Sequence, residues 1–232
     1  MAILQARMSS TRLPGKVLAE INGQPMIYWQ ITRILRSKSI DGIIVATSSE
    51  RSDDLLAKTL ENLGVKVVRG SLQNVFSRFK LAISDPQPDY FLRLTADCPL
   101  VMSELIDQMI VVFEKASVDY LSNIVDPTFP DGLDVEIIST PAFLSIEESS
   151  LSKYELEHVT PAIYQNPEIF KVQNFKSNVD LRNRRWTVDT EEDLKFVRKV
   201  FHQFKGRESN FTLSEMLEVE KVIPNFLRIQ ER

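Results

Sequence analysis

A chain of 232 residues with 43% hydrophobic side chains is long enough to bury a sizeable core as one large α/β domain, or one domain with a small appendage, and it is not a disordered composition. A net charge of −4 excludes a general nucleic-acid binder, which carries a basic excess, so any phosphate-binding must be local. The single cysteine, Cys98, allows no intramolecular disulfide, and with no signal pattern and no apolar run near about 18 residues the chain reads as cytoplasmic, without membrane or nucleic-acid partners.

Ala2 to Ala6 is apolar apart from Gln5 and gives way to turn-forming residues, which predicts a buried strand running into a loop. Pro25 to Arg36 places Ile27, Ile31, Ile34 and Leu35 at helical spacing and leaves Arg33 and Arg36 for solvent. Gly42 to Thr47 predicts a second strand, Asp53 to Leu63 a helix ended by Gly64, and Val65 to Val68 a third strand. Leu72 to Ser84 is helical as far as the DPQPD stretch, and Tyr90 to Thr95 is strand. A helix capped by Ser103 runs towards Lys115, and Asp119 to Asn123 returns as strand. Repeated βα order implies a mostly parallel sheet with helices on both faces and right-handed crossovers.

The second half is less regular. Asn123 to Asp131 holds two prolines and no period, and Leu133 to Ile138 alternates like a half-exposed strand. Tyr154 to Tyr164 and Thr190 to Phe204 read as helices, with Phe170 to Phe175 a strand between them. Residues 1–205 form the α/β domain in this reading, and 206–232, with Thr212 capping SEMLEVEKVI, a short helical extension.

Three stretches carry chemistry. The loop in AILQARMSSTRLPGK holds Arg7, Arg12 and Lys16, with no acid before Glu20. At the C-terminal edge of an open α/β sheet, that is an anion site suited to a triphosphate; solvated surface cations are the plain alternative. The pattern G-x-x-x-x-G-K-[ST] is absent and Gly15 is the loop's only glycine, so charge rather than backbone must hold the phosphates. In LTADCP, Asp97 ends a strand on the same edge, while Ser103 is better placed to cap the next helix. In RWTVDTEED, Thr190 and Asp193 make a capping-box-like start, so Asp189 is either a second metal ligand or simply leads into the helix.

Two carboxylates without a Cys/His cluster indicate a hard cation such as Mg²⁺, and neither His158 nor His202 has a partner at zinc-binding spacing. PDGLDVE gathers Asp131, Asp134 and Glu136, and ELEHVT carries Glu155 and His158; each is an acceptor-side group or an ordinary surface or satisfied core residue. Arg69, Asn74 and Arg78 follow the third strand and can reach a base or phosphates. Arg93 suits a charge pair with Asp97, and Cys98 reads as a small buried residue.

Arg-x-x-x-x-Arg-Leu-Pro-Gly-Lys after a strand resembles the signature loop of the sugar-activating nucleotidyltransferases, specifically the cytidylyltransferases of 3-deoxy-manno-octulosonate and acylneuraminate type. The group associated with spore-coat polysaccharide biosynthesis is the most similar: its loop begins Gln-Ala-Arg-Met, as at 5–8 here, and it has matching Pro-Asp-Gly-Leu-Asp-Val-Glu and Glu-His-Val-Thr segments. The resemblance covers roughly the first two hundred residues. It implies a Rossmann-like, nucleotide-diphospho-sugar transferase type of fold, CTP and an acidic sugar or related anionic acceptor as substrates, and Mg²⁺ on Asp97 and Asp189. It further implies a homodimer joined through an arm at about 123–169, on which Phe129, Phe143 and Tyr164 lie. The nucleotide-binding set is then Leu4, Ala6, Arg7, Arg12, Lys16, Arg69, Asn74, Arg78 and Asp97, with Arg7, Arg12, Lys16 and Asp97 catalytic. The acceptor set is Asn123, Asp131, Asp134, Glu136, Glu155 and His158. Octulosonate enzymes have Gly-Asp-Glu-Pro where this chain has Ala96-Asp97-Cys98-Pro99, and acylneuraminate enzymes a loop richer in glycine and lysine, so the acceptor does not transfer from either. Another nucleotide with a sugar phosphate, and a nucleotide-binding module without catalysis, stay open.

Overall fold

The computed structural model describes residues 1–85 and 87–223. Along it run β1 (Ala2–Gln5), the short β2 (Glu20–Ile21) and β3 (Gln24–Pro25), α1 (Met26–Ile34), β4 (Ile43–Ser48), α2 (Asp54–Asn62), β5 (Lys66–Gly70), α3 (Val75–Ala82) and β6 (Tyr90–Thr95). There follow α4 (Ser103–Lys115), β7 (Tyr120–Ser122), β8 (Glu136–Ser139), α5 (Thr140–Leu144), α6 (Lys153–His158), α7 (Pro161–Tyr164), β9 (Val172–Asn174), α8 (Glu191–Gln203) and α9 (Leu213–Val222).

Seven strands form one sheet in the order β5-β4-β1-β6-β8-β7-β9, with β8 antiparallel to both neighbours and the other pairs parallel. β1 is buried on both faces, which is why it reads as a continuous apolar run. Ala2 and Leu4 enter a core shared with Ile27 of α1, Leu60 of α2, Met109 of α4 and Val197 of α8, whereas Ile3 enters a second core with Phe76 of α3, Phe143 of α5 and Ile163 of α7. The mostly parallel sheet between two helical layers is the predicted fold class. From β1 the chain steps outward to β4 and β5, then returns to β6 on the other side of β1. That reversal opens a crevice beyond the carboxyl ends of β1 and β6, where open α/β sheets bind ligands.

Several predicted elements change in detail. Arg33 is 2% exposed rather than solvated, because it donates to the carbonyls of Val101, Glu208 and Phe211 and stacks on the Phe211 ring at 3.7 Å. The helix predicted over Tyr154 to Tyr164 breaks between α6 and α7, since Pro161 has no N–H to donate to Glu157 one turn back. Ser103 is the first helical residue of α4, not its cap. The strand predicted from Leu133 begins only at Glu136, and Asn22-Gly23 closes a small β2–β3 hairpin that the expectations omitted. Phe129 and Phe143 are buried in the cores. Thr212 and Glu215 form a capping box for α9, while 224–232 of the expected extension lie outside the described residues. Among the described residues no helix is long and apolar enough to cross a membrane.

Candidate active site

The peptide unit of Met8 organises the loop after β1. Its N–H donates to Asp53 at 2.7 Å, and its carbonyl accepts from Ser10 at 2.9 Å and Gly15 at 2.8 Å, so both ends of the loop close on one point. Asp53 is fully buried and also takes bonds from the Ser48 backbone and hydroxyl at the end of β4. A buried carboxylate with donors on both oxygens is a fixed anchor.

The loop presents Lys16 to two carboxylates at once. Its Nζ donates to the carbonyl of Val188 at 2.7 Å and to Asp189 Oδ1 at 3.0 Å, with Asp97 Oδ2 at 3.4 Å. Asp97 comes from the turn after β6 and Asp189 from just before α8. The two are side by side because the Asp97 carbonyl accepts from Val188 N at 2.8 Å and from the Thr187 hydroxyl at 3.2 Å. Thr190 and Asp193 do form a capping box, and Asp193 also accepts from Asp189 N, so the Asp189 carboxylate is left to face the cleft. Arg12 at 2.8 Å and Arg185 at 2.5 Å complete its surroundings. Burial alone would raise the Asp189 carboxyl, but bonds from Lys16 and Arg185 and the charge of Arg12 outweigh it and hold it below its ordinary value.

Gln5, Ala6, Arg7, Arg12, Lys16, Arg93, Asp97, Glu157, His158 and Asp189 all line one cleft of about 350 Å³. A larger hollow beside α8 is lined by exposed polar groups such as Lys199 and His202, with Asn22 donating to the Phe201 carbonyl at 3.1 Å and to Glu208, and its lining includes none of Arg12, Lys16, Asp97 and Asp189.

Other expected site residues are engaged elsewhere. Leu4 is a fully buried core side chain. Arg69 is spent on the carbonyls of Ser48 and Glu50 and on Asp54, and Asn74 caps α3 at Ser77 while donating to Glu148. Arg78 is 1% exposed behind Gly70, and burial together with nearby Arg7 lowers its guanidinium to about 10. Both ends of the Asn123 amide bond the backbone, at Leu133 and Val135. Glu155 belongs to the capping box of α6 with Ser152. Glu136 takes Arg93, replacing the expected Arg93–Asp97 pair, and accepts from the Tyr120 hydroxyl at 2.5 Å. Asp131 holds Arg185 at 2.9 Å and so orients the cation that meets Asp189. Cys98 is buried, which pushes its thiol well above its ordinary value.

Asp134 is partly buried, and that burial together with the charges of Asp131, Asp97 and Glu136 pushes its carboxyl up to about 7. A folded-state value above the unfolded one of 3.8 means the proton's contribution to stability is full below about 4 and lost as pH rises through 7. Asp134→Asn is therefore expected to raise Tm at pH 8 by roughly 2–4 °C in metal-free buffer and to leave it nearly unchanged at pH 4.5. Thermal scans at the two pH values check this, and an equal shift at both would contradict it.

Sequence reasoning missed Asp53, Arg185 and Glu157. Asp53 and Asp54 read as acids in the first turn of the helix predicted from Asp53, and nothing local tells that one of them reaches Met8. Arg185 stands within the RWTVD stretch but shows its role only beside Asp131. Among the described residues no group of three or more His, Cys, Asp or Glu side chains could hold a metal ion. The pair Asp97–Asp189 nevertheless fits a shared hard cation, since two carboxylate oxygens and a carbonyl already converge on the Lys16 ammonium.

The sequence profile of the cytidylyltransferases matches residues 1–226. The spore coat polysaccharide biosynthesis protein SpsF of Bacillus subtilis is 32% identical over 222 residues, 93% of this chain and 91% of its own. A 3-deoxy-manno-octulosonate cytidylyltransferase of Bdellovibrio bacteriovorus is 37% identical over 113 residues, 48% of this chain and 44% of its own. Among solved structures, a cytidylyltransferase from Leptospira borgpetersenii superposes with a TM-score of 0.91 at 30% identity, covering 100% of this chain and 97% of that one.

Proposed function

The chain belongs to the cytidylyltransferase family, and from that premise we propose that it transfers CMP from CTP to an oxygen of an acidic sugar, releasing pyrophosphate for surface polysaccharide or glycan biosynthesis. One observation carries the reading: Arg12, Lys16, Asp97 and Asp189, from three separate stretches of sequence, meet in the crevice between β1 and β6.

In the proposed mechanism Lys16 and Arg12 draw the β- and γ-phosphates and Arg7 stands nearer the α-phosphate. Asp97 and Asp189 would hold Mg²⁺, which supplies positive charge against the phosphoryl oxygens when bound. The acceptor oxygen attacks the α-phosphorus, and the bond to the β-phosphate oxygen breaks to free pyrophosphate. The protein's part is to position the reactants and to stabilise charge, with no covalent nucleophile.

The test is pyrophosphate release from each of the four ribonucleoside triphosphates with Mg²⁺, against a panel that includes 3-deoxy-manno-octulosonate and its 8-amino-3,8-dideoxy analogue. Release is expected to favour CTP by at least about tenfold, on the order of one bidentate hydrogen-bonding contact's worth of discrimination. Release with another nucleotide and a hexose 1-phosphate would replace this reading, and nucleotide binding without any release would remove catalysis from it.

A further inference from the structure

Glu157 is the carboxylate in the cleft to which the mechanism above assigns no role. Its Oε1 lies 3.5 Å from Nη2 of Arg7, and both side chains are well exposed, at 46% and 39%, so the contact is loose and readily exchanged. The chain around it is held unusually. Val159 has φ 68 and ψ −63, and Thr160 N donates to the His158 carbonyl at 2.8 Å, closing a tight γ-turn of the rare positive-φ kind. A β-branched residue there is strained, and a glycine would adopt the turn freely. The strain is sustained because Val159 is fully buried against the second core and Pro161 ends the helical bonding, so packing forces the turn. Its effect is to stop α6 at the cleft wall, with Glu157 and His158 lining it.

We infer that Glu157 couples the two substrates. It pairs with Arg7 until the nucleotide phosphates draw that guanidinium away, and the released carboxylate then accepts the proton of the attacking acceptor hydroxyl. This rests on the transfer reading above. The hydroxyl proton passes to Glu157, the oxygen's electron pair forms the bond to the α-phosphorus, the α–β bridging P–O bond breaks, and its electrons leave on pyrophosphate. Glu157 then returns the proton to solvent. An anionic phosphate competes directly with a carboxylate for one guanidinium, so nucleotide binding and exposure of the base are a single exchange.

The exchange predicts an unusual pair of effects. Glu157→Gln removes the competitor for Arg7, so the variant should bind CTP as tightly as the parent or up to about fivefold more tightly, measured calorimetrically with CTP and Mg²⁺ and no acceptor. Its single-turnover pyrophosphate release, with whichever acid sugar of the panel supports the parent, should fall by about 10²–10³-fold, and Glu157→Asp should recover part of it. An exposed side chain leaves Tm unchanged, so misfolding does not mimic the result. Release within threefold of the parent overturns the inference while transfer itself stands. Weakened CTP binding with an unchanged bound-state rate overturns it in favour of a purely structural contact. Failure of the parent to release pyrophosphate with any pairing removes the transfer reading and this inference together.

Discussion

Replacing Asp97 with asparagine is expected to cut pyrophosphate release by about 10²–10³-fold while the protein stays folded, the scale seen when one preorganised electrostatic group is lost. The side chain is 32% exposed and its nearest cation, Lys16, keeps Val188 and Asp189. The structural duties of this residue belong to its backbone carbonyl, which accepts from Val188 and Thr187 whatever the side chain. Asparagine preserves shape and removes only charge, so Tm should stay within about 2 °C. The proposed role of Asp97 is to share a divalent cation with Asp189. Calorimetry should therefore show CTP affinity losing most of its dependence on Mg²⁺ in the variant, a readout independent of turnover. Near-normal release with Mg²⁺ and an unchanged metal dependence would sink the assignment. Asp189→Asn is a poorer probe, because Arg12, Lys16 and Arg185 all bond its carboxylate and would lose a partner together.

The parts of this cleft that were legible in the sequence are those set by local rules. For Asp189 local rules went halfway: Thr190 and Asp193 already satisfy the start of α8, which left the preceding carboxylate open between a cleft ligand and a helix-entry residue, and the resemblance to the cytidylyltransferases carried the choice. Arg12 and Lys16 were legible from their concentration after a buried strand. Glu155 and Glu157 show where the reading stopped short. Two residues apart on a helix, they face nearly opposite directions, and Ser152-x-x-Glu155 is itself a capping-box pattern, so Glu155 had a local use and Glu157 was the one left for the cleft. That signal was present and unused.

Other features have no local signal. Arg33 looks like a solvent-facing helix residue until the chain returns at Glu208 and Phe211 to bury it. The hold of Asp53 on Met8 spans 45 residues. Arg69 and Asn74 carry the residue types of a phosphate site, yet backbone carbonyls and a helix cap consume them first. In each case residue type gave the chemistry available, and long-range packing decided where it was spent.

The largest effect on stability is expected at Gly132, in the segment that presses the Asp189 stretch into place. Its φ is +106, and a Cβ there would lie 2.5 Å from Thr187 N and 2.6 Å from the carbonyl carbon of Trp186. These are backbone atoms, so no side chain can rotate out of the way. Either 131–133 or 185–188 has to retreat, which breaks the bond from Trp186 N to the Asp131 carbonyl at 2.6 Å and that from Asp131 N to the Arg184 carbonyl at 3.0 Å. Leu133, Trp186 and Val188 are fully buried on either side of this contact, so retreat also opens the core. Gly132→Ala should cost about 3–5 kcal/mol and lower Tm by roughly 10 °C. Gly64→Ala separates conformation from contact: φ there is +73 with nothing within 4 Å, so strain alone should cost about 1 kcal/mol. Because Asp131 orients Arg185 and Arg185 meets Asp189, folded Gly132→Ala should also lose turnover well below its Tm, whereas Gly64→Ala should not. Equal losses of stability in the two variants would show that the segments separate without cost, and that their close approach does not hold the aspartate in the cleft.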